Sequence, residues 1–508
     1  MFSDYLWIVI TGGITSFIAA MGIGANDVGN AFATSIGSKA QTIKRAVVIA
    51  SIFECAGAIL MGSHVTKTIR KGIADYECFE DNPELLMYGC FCVLISVGSW
   101  LFLASYFEMP VSTTHSCVGG MIGMTMVTGG SNCVIWYKAT DSFPWVGGVS
   151  GIVMSWFLSP IFSALFASFI FYMTRFTVLR RDNSFNYSYQ TFPIFVGLTI
   201  ALNTFFIIYK GGKGIGLDDL SAGGSLVIAS GTGLITGSAI IPFIPKMKQA
   251  VNDKFQREEE DVNEEIEECL NELNEVDRVE KNNRLQKCLT NIKTNLNYDM
   301  DKIKVDEVKE IHDNSEKFDE KTEENFKYLQ IFTAVCDSFS HGANDVANAI
   351  GPYAAIVSIY MNDGDLHQKV DMNQYAYLIL AMGGLGISLG LFIYGYKIIR
   401  AIGVKLCCIT PSRGFSIELG SATIIIIGSR LGIPLSTTHC QVGATMGVAA
   451  LEDVKKCSGI NWIIAWKVFF GWIITLIVVG SSTALLTAQG IYAPSEYNRE
   501  CIIFNTTN

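Results

Sequence analysis

The chain of 508 residues is 50% hydrophobic and only 17% charged, with a mean hydropathy of +0.35, whereas soluble domains carry about 25% charged residues. That balance excludes an ordinary soluble domain and points to an integral membrane protein whose first partner is the lipid bilayer; no nucleic acid is expected. The formal net charge of −10 is concentrated in one place, because residues 246–327 hold 24 Asp/Glu and 15 Lys/Arg, a local net of −9, and the rest is close to neutral.

A membrane helix needs roughly 20 mostly apolar residues. In chain order, candidates lie near 5–35, 43–62, 86–107, 110–130, 147–173, 191–209 and 226–245, then 329–357, 375–399, 415–431, 433–451 and 462–487, about 12 hydrophobic segments. The run Tyr5 to Gly22 lacks a basic leader and continues into polar residues, so it is expected to be a retained span. Two pairs, 86–107 with 110–130 and 415–431 with 433–451, are joined only by a proline-centred turn carrying polar residues. Each pair is either two crossings or a re-entrant helical hairpin, whose irregular backbone must line a protein-walled cavity. Both readings return the chain to the same side.

Basic residues in short loops set the orientation. With the N-terminus outside, the inner loops receive Lys39, Lys44, Arg45, Arg175, Arg180, Arg181, Lys397, Arg400, Lys405, Lys455 and Lys456, more than the outer loops. Both termini are therefore expected outside and the acidic segment in the cytosol, and Asn505-Thr506-Thr507 forms a sequon compatible with an external tail. The expected division is an N-terminal transmembrane repeat (1–245), an acidic cytosolic loop, partly helical or disordered (246–328), a C-terminal inverted transmembrane repeat (329–490) and a short external tail (491–508). In the loop, Ile266, Leu270 and Leu273, and later Leu285, Leu289, Ile292 and Leu296, recur at helical spacing. The fourteen cysteines show no metal-ligand spacing and are expected to be small buried apolar residues, among them Cys55, Cys90, Cys92 and Cys117. Cys407-Cys408, beside a span, is a weak palmitoylation signal.

The chain repeats itself. Gly24-Ala25-Asn26-Asp27-Val28-Gly29-Asn30-Ala31 returns as Gly342-Ala343-Asn344-Asp345-Val346-Ala347-Asn348-Ala349, and Pro110-Val111-Ser112-Thr113-Thr114-His115 returns as Pro434-Leu435-Ser436-Thr437-Thr438-His439. An odd number of crossings separates the two Asn-Asp segments, so the repeats are inverted, an architecture of secondary transporters in which broken helices meet near the midplane.

An aspartate inside a span costs about 2.5–3.5 kcal/mol on insertion scales, so Asp27 and Asp345 need a partner. Carboxylates with the amides of Asn26 and Asn344, and carbonyls freed where Gly and Ala let the helix break, form a hard-oxygen site for sodium, or a carboxylate that carries a proton. Asn-Asp pairs also join broken helices without an ion, yet duplication of a costly buried charge favours the ligand. The Ser-Thr-Thr triplets Ser112, Thr113, Thr114 and Ser436, Thr437, Thr438 follow a proline, where a helix begins, and offer hydroxyls and unpaired N–H groups to an oxyanion. Glu54 and Glu418 are further intramembrane acids at non-equivalent positions and, with Asn30 and Asn348, candidates for coupling or gating. His115 and His439 have no nucleophile or carboxylate at a catalytic spacing and are expected to orient the hairpins. A membrane enzyme is thus disfavoured, and a channel lacks a filter such as Thr-Val-Gly-Tyr-Gly.

At these residues the sequence resembles the inorganic phosphate transporter (PiT) family, sodium- or proton-coupled phosphate permeases, over about 1–245 and 329–487. The resemblance implies an all-α polytopic membrane protein of inverted repeats with two re-entrant helical hairpins and broken helices. It also implies symport of phosphate, as dihydrogen phosphate, with sodium, often by a homodimer, with no cofactor and no transition metal. Ser-Ile-Phe-Glu at Glu54 and Gly-Phe-Ser-Ile-Glu-Leu at Glu418 look like eukaryotic members, with the plasma membrane as the default location. By resemblance, Asn26, Asp27, Asn344 and Asp345 hold sodium and Ser112–Thr114 and Ser436–Thr438 surround phosphate. The family also contains proton-coupled phosphate and sulfate carriers, which leaves cation and anion open.

Overall fold

A backbone inside a bilayer has no water to bond with and must satisfy its own N–H and C=O groups, so long apolar runs become helices. The computed structural model describes residues 2–141, 145–209, 220–274, 315–366, 373–395, 407–452 and 459–493. All twelve apolar stretches form helices over their described residues. The N-terminal half contains α1 (Leu6–Asn26), α2 (Val28–Gly37), α3 (Ile43–Met61), α4 (Ser63–Lys71), α5 (Pro83–Tyr106), α6 (Thr113–Thr128), α7 (Gly148–Thr174), α8 (Ser184–Ile208) and α9 (Ala222–Ile240). Then come α10 (Ile244–Asn274), α11 (Glu320–Met361), α12 (Asn373–Tyr394), α13 (Pro411–Arg430), α14 (Thr437–Ala450) and α15 (Trp462–Tyr492). Between α6 and α7, Lys138–Ala139 and Val146–Gly147 make a short antiparallel ribbon.

Polarity is distributed from the inside out. Among the described residues, seven stretches, including α5, α8 and α15, are long and apolar enough to cross a membrane, and the periphery shows large apolar side chains such as Val227, Leu234, Ile235 and Phe392, each more than 70% exposed. Such a surface suits lipid, not water. At the centre lies α11, which packs against α1, α3, α5 and α13 and buries Asp337, His341, Asn344, Asp345 and Asn348 along its length. The shorter stretches behind α3, α6, α13 and α14 carry further buried polar residues, including Glu54, Thr113, Glu418 and Thr438.

Two helical hairpins, α5–α6 and α13–α14, have turns that run from exposed or partly buried residues into the buried Val111-Ser112 and Leu435-Ser436. Ser112 and Ser436 cap α6 and α14 by accepting from the N–H groups of His115 and His439, each at 3.3 Å. Across the fold, α6 packs on α15 and α14 packs on α7, so each hairpin leans on a helix from the other half of the chain.

Two expectations are corrected. Both Asn-Asp motifs were expected to break their helices; the first does, at Asp27 between α1 and α2, but α11 runs without interruption through the second. There His341 and Asn348, four residues before and three after Asp345, both reach its carboxylate, so the continuous helix itself presents its partners. The cysteines are not all isolated apolar residues, because Cys78 and Cys133 form a disulfide with Cα atoms 5.9 Å apart. It joins the loop before α5 to the loop after α6 and so ties the base of the first hairpin. A separation of 55 residues carries no recognisable spacing. Cys90, Cys92 and Cys117 are free and buried as expected, and Cys55 is partly buried.

The base of the second hairpin is held without a covalent bond. Arg413 pairs with Glu452 at 2.7 Å and donates to the carbonyl of Glu316 at 2.8 Å, while the Glu316 carboxylate accepts from Arg180 at 2.8 and 2.9 Å. The Arg180 guanidinium holds the Glu316 carboxyl below the ordinary glutamate range. This clasp is therefore complete at neutral pH and is lost as pH falls through that lowered value. The run Leu285 to Leu296, the Asn505 sequon and the side chain of Asn30 lie outside the described residues.

Replacing Cys78 and Cys133 by serine removes the tie at the first hairpin and is expected to cost about 2–4 kcal/mol, read as a lower melting temperature of the purified protein. Reductant should lower the wild-type melting temperature toward that of the double variant.

Candidate functional site

The two hairpin turns meet in the interior. Ser112 Oγ and Ser436 Oγ are 2.9 Å apart, Thr114 donates to the carbonyl of Leu435 at 2.8 Å, and Thr438 lies 3.4 Å from the carbonyl of Val111. The N-termini of α6 and α14 therefore face each other across this contact, two positive helix ends directed at one place.

The aspartates of both motifs lie beside it, fully or almost fully buried. Asp27 Oδ2 accepts from Thr113 Oγ1 at 2.8 Å, and its Oδ1 accepts from Thr438 of the other hairpin. Asp345 Oδ2 accepts from Thr437 Oγ1 at 2.6 Å, and Oδ1 accepts from Asn348 Nδ2 at 3.2 Å. Asn348 also donates to Thr113 Oγ1 at 3.1 Å, closing a network between the halves. Asp27, His341 and Asp345 each present an atom within 4.8 Å of the others, a grouping able to hold a cation. The oxygens around it, from two carboxylates and three threonines, are the hard donors that alkali cations take.

The asparagines before each aspartate contact the hairpin turns, and the turned Asn344 amide also donates to Asp345 Oδ1 at 3.2 Å. Asn26 Oδ1 accepts the Val111 N–H at 3.0 Å, while its amide nitrogen donates to Ser105 Oγ at 3.1 Å and to the Met109 carbonyl at 3.0 Å. Asn344, with its amide turned to satisfy its neighbours, donates to the Leu435 carbonyl at 3.0 Å and accepts from Ser429 Oγ at 3.1 Å. Each asparagine thus braces the turn of its own half's hairpin, and Val111 and Leu435 hold matching places in the repeated motif.

Glu54 and Glu418 are both fully buried and lie in different surroundings. Glu54 meets His341 Nδ1 at 2.9 Å and accepts from Ser338 at 3.1 Å, which ties α3 to α11. His341 Nε2 is 2.8 Å from Asp345 Oδ2, so this one imidazole bridges two carboxylates. Glu418 accepts from Thr34 and Thr333, each at 2.6 Å, and from Gln330 at 3.3 Å, which ties α13 to α2 and α11. Sequence reading missed His341, Asp337, Thr34, Gln330 and Thr333. A signal existed for the first, since His341 stands one helical turn before Asp345 where the first copy has Ile23. His115 and His439 touch each other and two tryptophans, with ring centroids 3.6–4.7 Å apart.

A family model described as the phosphate transporter family matches residues 23–482. Among similar proteins, a phosphate-repressible phosphate permease of Neurospora crassa is 30% identical, with 97% of this chain and 98% of the relative covered. A sodium-dependent phosphate transporter of Plasmodium falciparum is also 30% identical, covering 97% and 98%, and sodium-dependent phosphate transporter 1 of Mus musculus is 26% identical, covering 96% and 95%. A solved structure titled the sodium-dependent phosphate transporter superposes with a TM-score of 0.71 at 31% identity, over 94% of this chain and 98% of that one. These relatives are named as transporters and permeases, not enzymes.

Replacing His341 by alanine leaves two buried carboxylates without their shared partner and is expected to destabilise the protein by about 3–5 kcal/mol. Combined with Glu54→Gln, the loss should be smaller than the sum of the two single losses, a coupling read from a double-mutant cycle of melting curves.

Proposed function

We propose, from the premise that this chain belongs to the phosphate transporter family, that it is a secondary active symporter carrying inorganic phosphate, as dihydrogen phosphate, into the cell together with sodium. The observation that carries this reading is the convergence of Asp27 and Asp345 on threonines of the opposed hairpin helices. The carboxylates and threonine hydroxyls receive sodium, and the two helix N-termini with Ser112 and Ser436 receive the phosphate. Cation and anion then offset each other's charge in a site that excludes water, so neither binds well alone. Asp27 and Asp345 are the sodium ligands. Asn26 and Asn344, which also brace the hairpin turns, stand with them as sodium ligands.

The turns meet between Ser112 and Ser436, so phosphate enters only when these two hydroxyls part. Hairpins that enter from opposite membrane faces and touch at their tips are re-entrant, and their helices belong to inverted repeats. The Cys78–Cys133 disulfide supports the outside assignment of that loop pair, because disulfides persist in oxidising compartments. On the same reading the clasp of Glu316 on Arg413 and Arg180 lies on the cytosolic face, with both termini outside and the plasma membrane as the default location. The working assembly on this reading is a homodimer.

Uptake of radiolabelled phosphate into proteoliposomes, with a sodium, potassium or proton gradient imposed, tests the reading. Sodium should drive uptake, and Asp27→Asn and Asp345→Asn should each abolish it. Uptake driven only by protons would replace the coupling ion, and accumulation of sulfate without phosphate would refute the substrate. The hairpin contact has its own test, independent of uptake: a Ser112→Cys, Ser436→Cys protein should form an intramolecular disulfide on oxidation, read by peptide mapping, and saturating phosphate with sodium should slow its formation.

A further inference from the structure

Behind the joined hairpin turns stand four aromatic rings in a row. Trp156 of α7 stacks on His115 at the start of α6, with centroids 3.7 Å apart and planes at 25°. His115 meets His439 at the start of α14 at 4.7 Å, and His439 meets Trp472 of α15 at 3.6 Å. Both histidines are 3% exposed and Trp156 is 8% exposed. Little hydrogen bonding holds the row. His439 Nδ1 lies 3.0 Å from the Trp156 carbonyl, whereas His115 Nδ1, His439 Nε2 and both indole nitrogens have no hydrogen-bond partner among the described residues. Beyond the bond between His439 and the Trp156 carbonyl, ring contact is what orients these side chains.

The helices that carry the rings form two tight pairs. A Cβ at Gly123 of α6 would strike the carbonyl oxygen of Gly480 of α15, and a Cβ at Gly443 of α14 would strike that of Pro160 of α7. The pair α6 with α15 and the pair α14 with α7 each behave as one body, since close-packed helices have no slack to slide through. All three ring contacts cross from one body to the other. Moreover, His115 and His439 sit on the first turns of α6 and α14, whose backbone N–H groups bond the capping Ser112 and Ser436. The thickness of the row and the separation of the two helix ends are therefore linked.

We propose that Trp156, His115, His439 and Trp472 form a four-ring spacer that sets the distance between the N-termini of α6 and α14, and thereby the fit of a tetrahedral oxyanion between them. This rests on the oxyanion reading of the same site. His115 and His439 are positioning residues: they act through the helix ends and need no proton chemistry. A shorter row lets the two bodies approach or tilt, and the anion then loses donors on one side.

The test is calorimetric binding of phosphate and of sulfate, in sodium, to the full chain in lipid nanodiscs, for wild type and for His115→Phe, His115→Ala, His439→Phe and His439→Ala. Phenylalanine keeps the ring and removes the nitrogens, so it should hold the phosphate Kd within about threefold of wild type, while alanine should weaken it by about tenfold. The alanine variants should also narrow the preference between phosphate and sulfate, which general loosening of the fold would leave in place. Phenylalanine variants as weak as alanine variants, or alanine variants equal to wild type, would overturn the spacer. If the wild type binds sulfate and not phosphate, the phosphate reading fails, yet the same comparison made on sulfate still decides the spacer. If neither anion binds the wild type, both fall. Should an alanine variant not fold, Trp472→Phe against Trp472→Leu gives the same contrast.

Discussion

Two aspartates from far-separated parts of the chain are buried in one cluster, and their charge has to be answered without water. A buried carboxylate is tolerated when paired or fully hydrogen-bonded. Here Asp27 and Asp345 receive threonine hydroxyls from both hairpins, and Asp345 also faces His341. Much of the interior is arranged to serve this requirement. The central helix α11 carries His341, Asp345 and Asn348 on neighbouring turns, and the hairpins bring their threonines to it. Neutral donors reduce the cost of two close negative charges but do not cancel it, and on the proposed reading this gives the cluster an affinity for a small cation. On the reading proposed above, that affinity is what makes phosphate binding depend on sodium.

The hairpins are fixed at their bases and meet at their tips. On one side the base is tied by a disulfide, on the other by an ion pair joined to the end of the acidic segment. The tips are steadied by Asn26 and Asn344 and by the contact of Ser112 with Ser436. A hairpin held this way can move only as a unit with the helix it packs on. Small displacements at the tips, not rearrangement within the helices, are then the natural way to admit and release an anion.

Much of this was legible in the sequence, for a physical reason. A charged residue in an apolar stretch is expensive, so its duplication at Asp27 and Asp345 marks a site that no packing argument explains, and the repeated proline-led Ser-Thr-Thr marks two helix starts. The family and the helical architecture followed from those same residues. Side-chain partners did not follow. That Asn26 also bonds the α5–α6 turn depends on how closely that backbone approaches α1, which the local sequence does not encode. His341 was overlooked because the repeat offers no second copy of it, Ile23 standing in its place. The continuity of α11 through its motif likewise depends on contacts made around Asp345, whereas both motifs carry nearly the same residues. The disulfide escaped because its cysteines are distant in sequence and surrounded by others that remain free.

On the proposed reading, a cation at the aspartate cluster and an anion at the helix ends share one binding equilibrium. Phosphate titrations of the purified protein in nanodiscs at a series of sodium concentrations, with potassium replacing sodium at constant ionic strength, test it most directly. The phosphate Kd should tighten as sodium rises, phosphate should tighten sodium binding by the same factor, and both effects should vanish in Asp27→Asn and Asp345→Asn. A phosphate affinity indifferent to sodium in the wild type would contradict it.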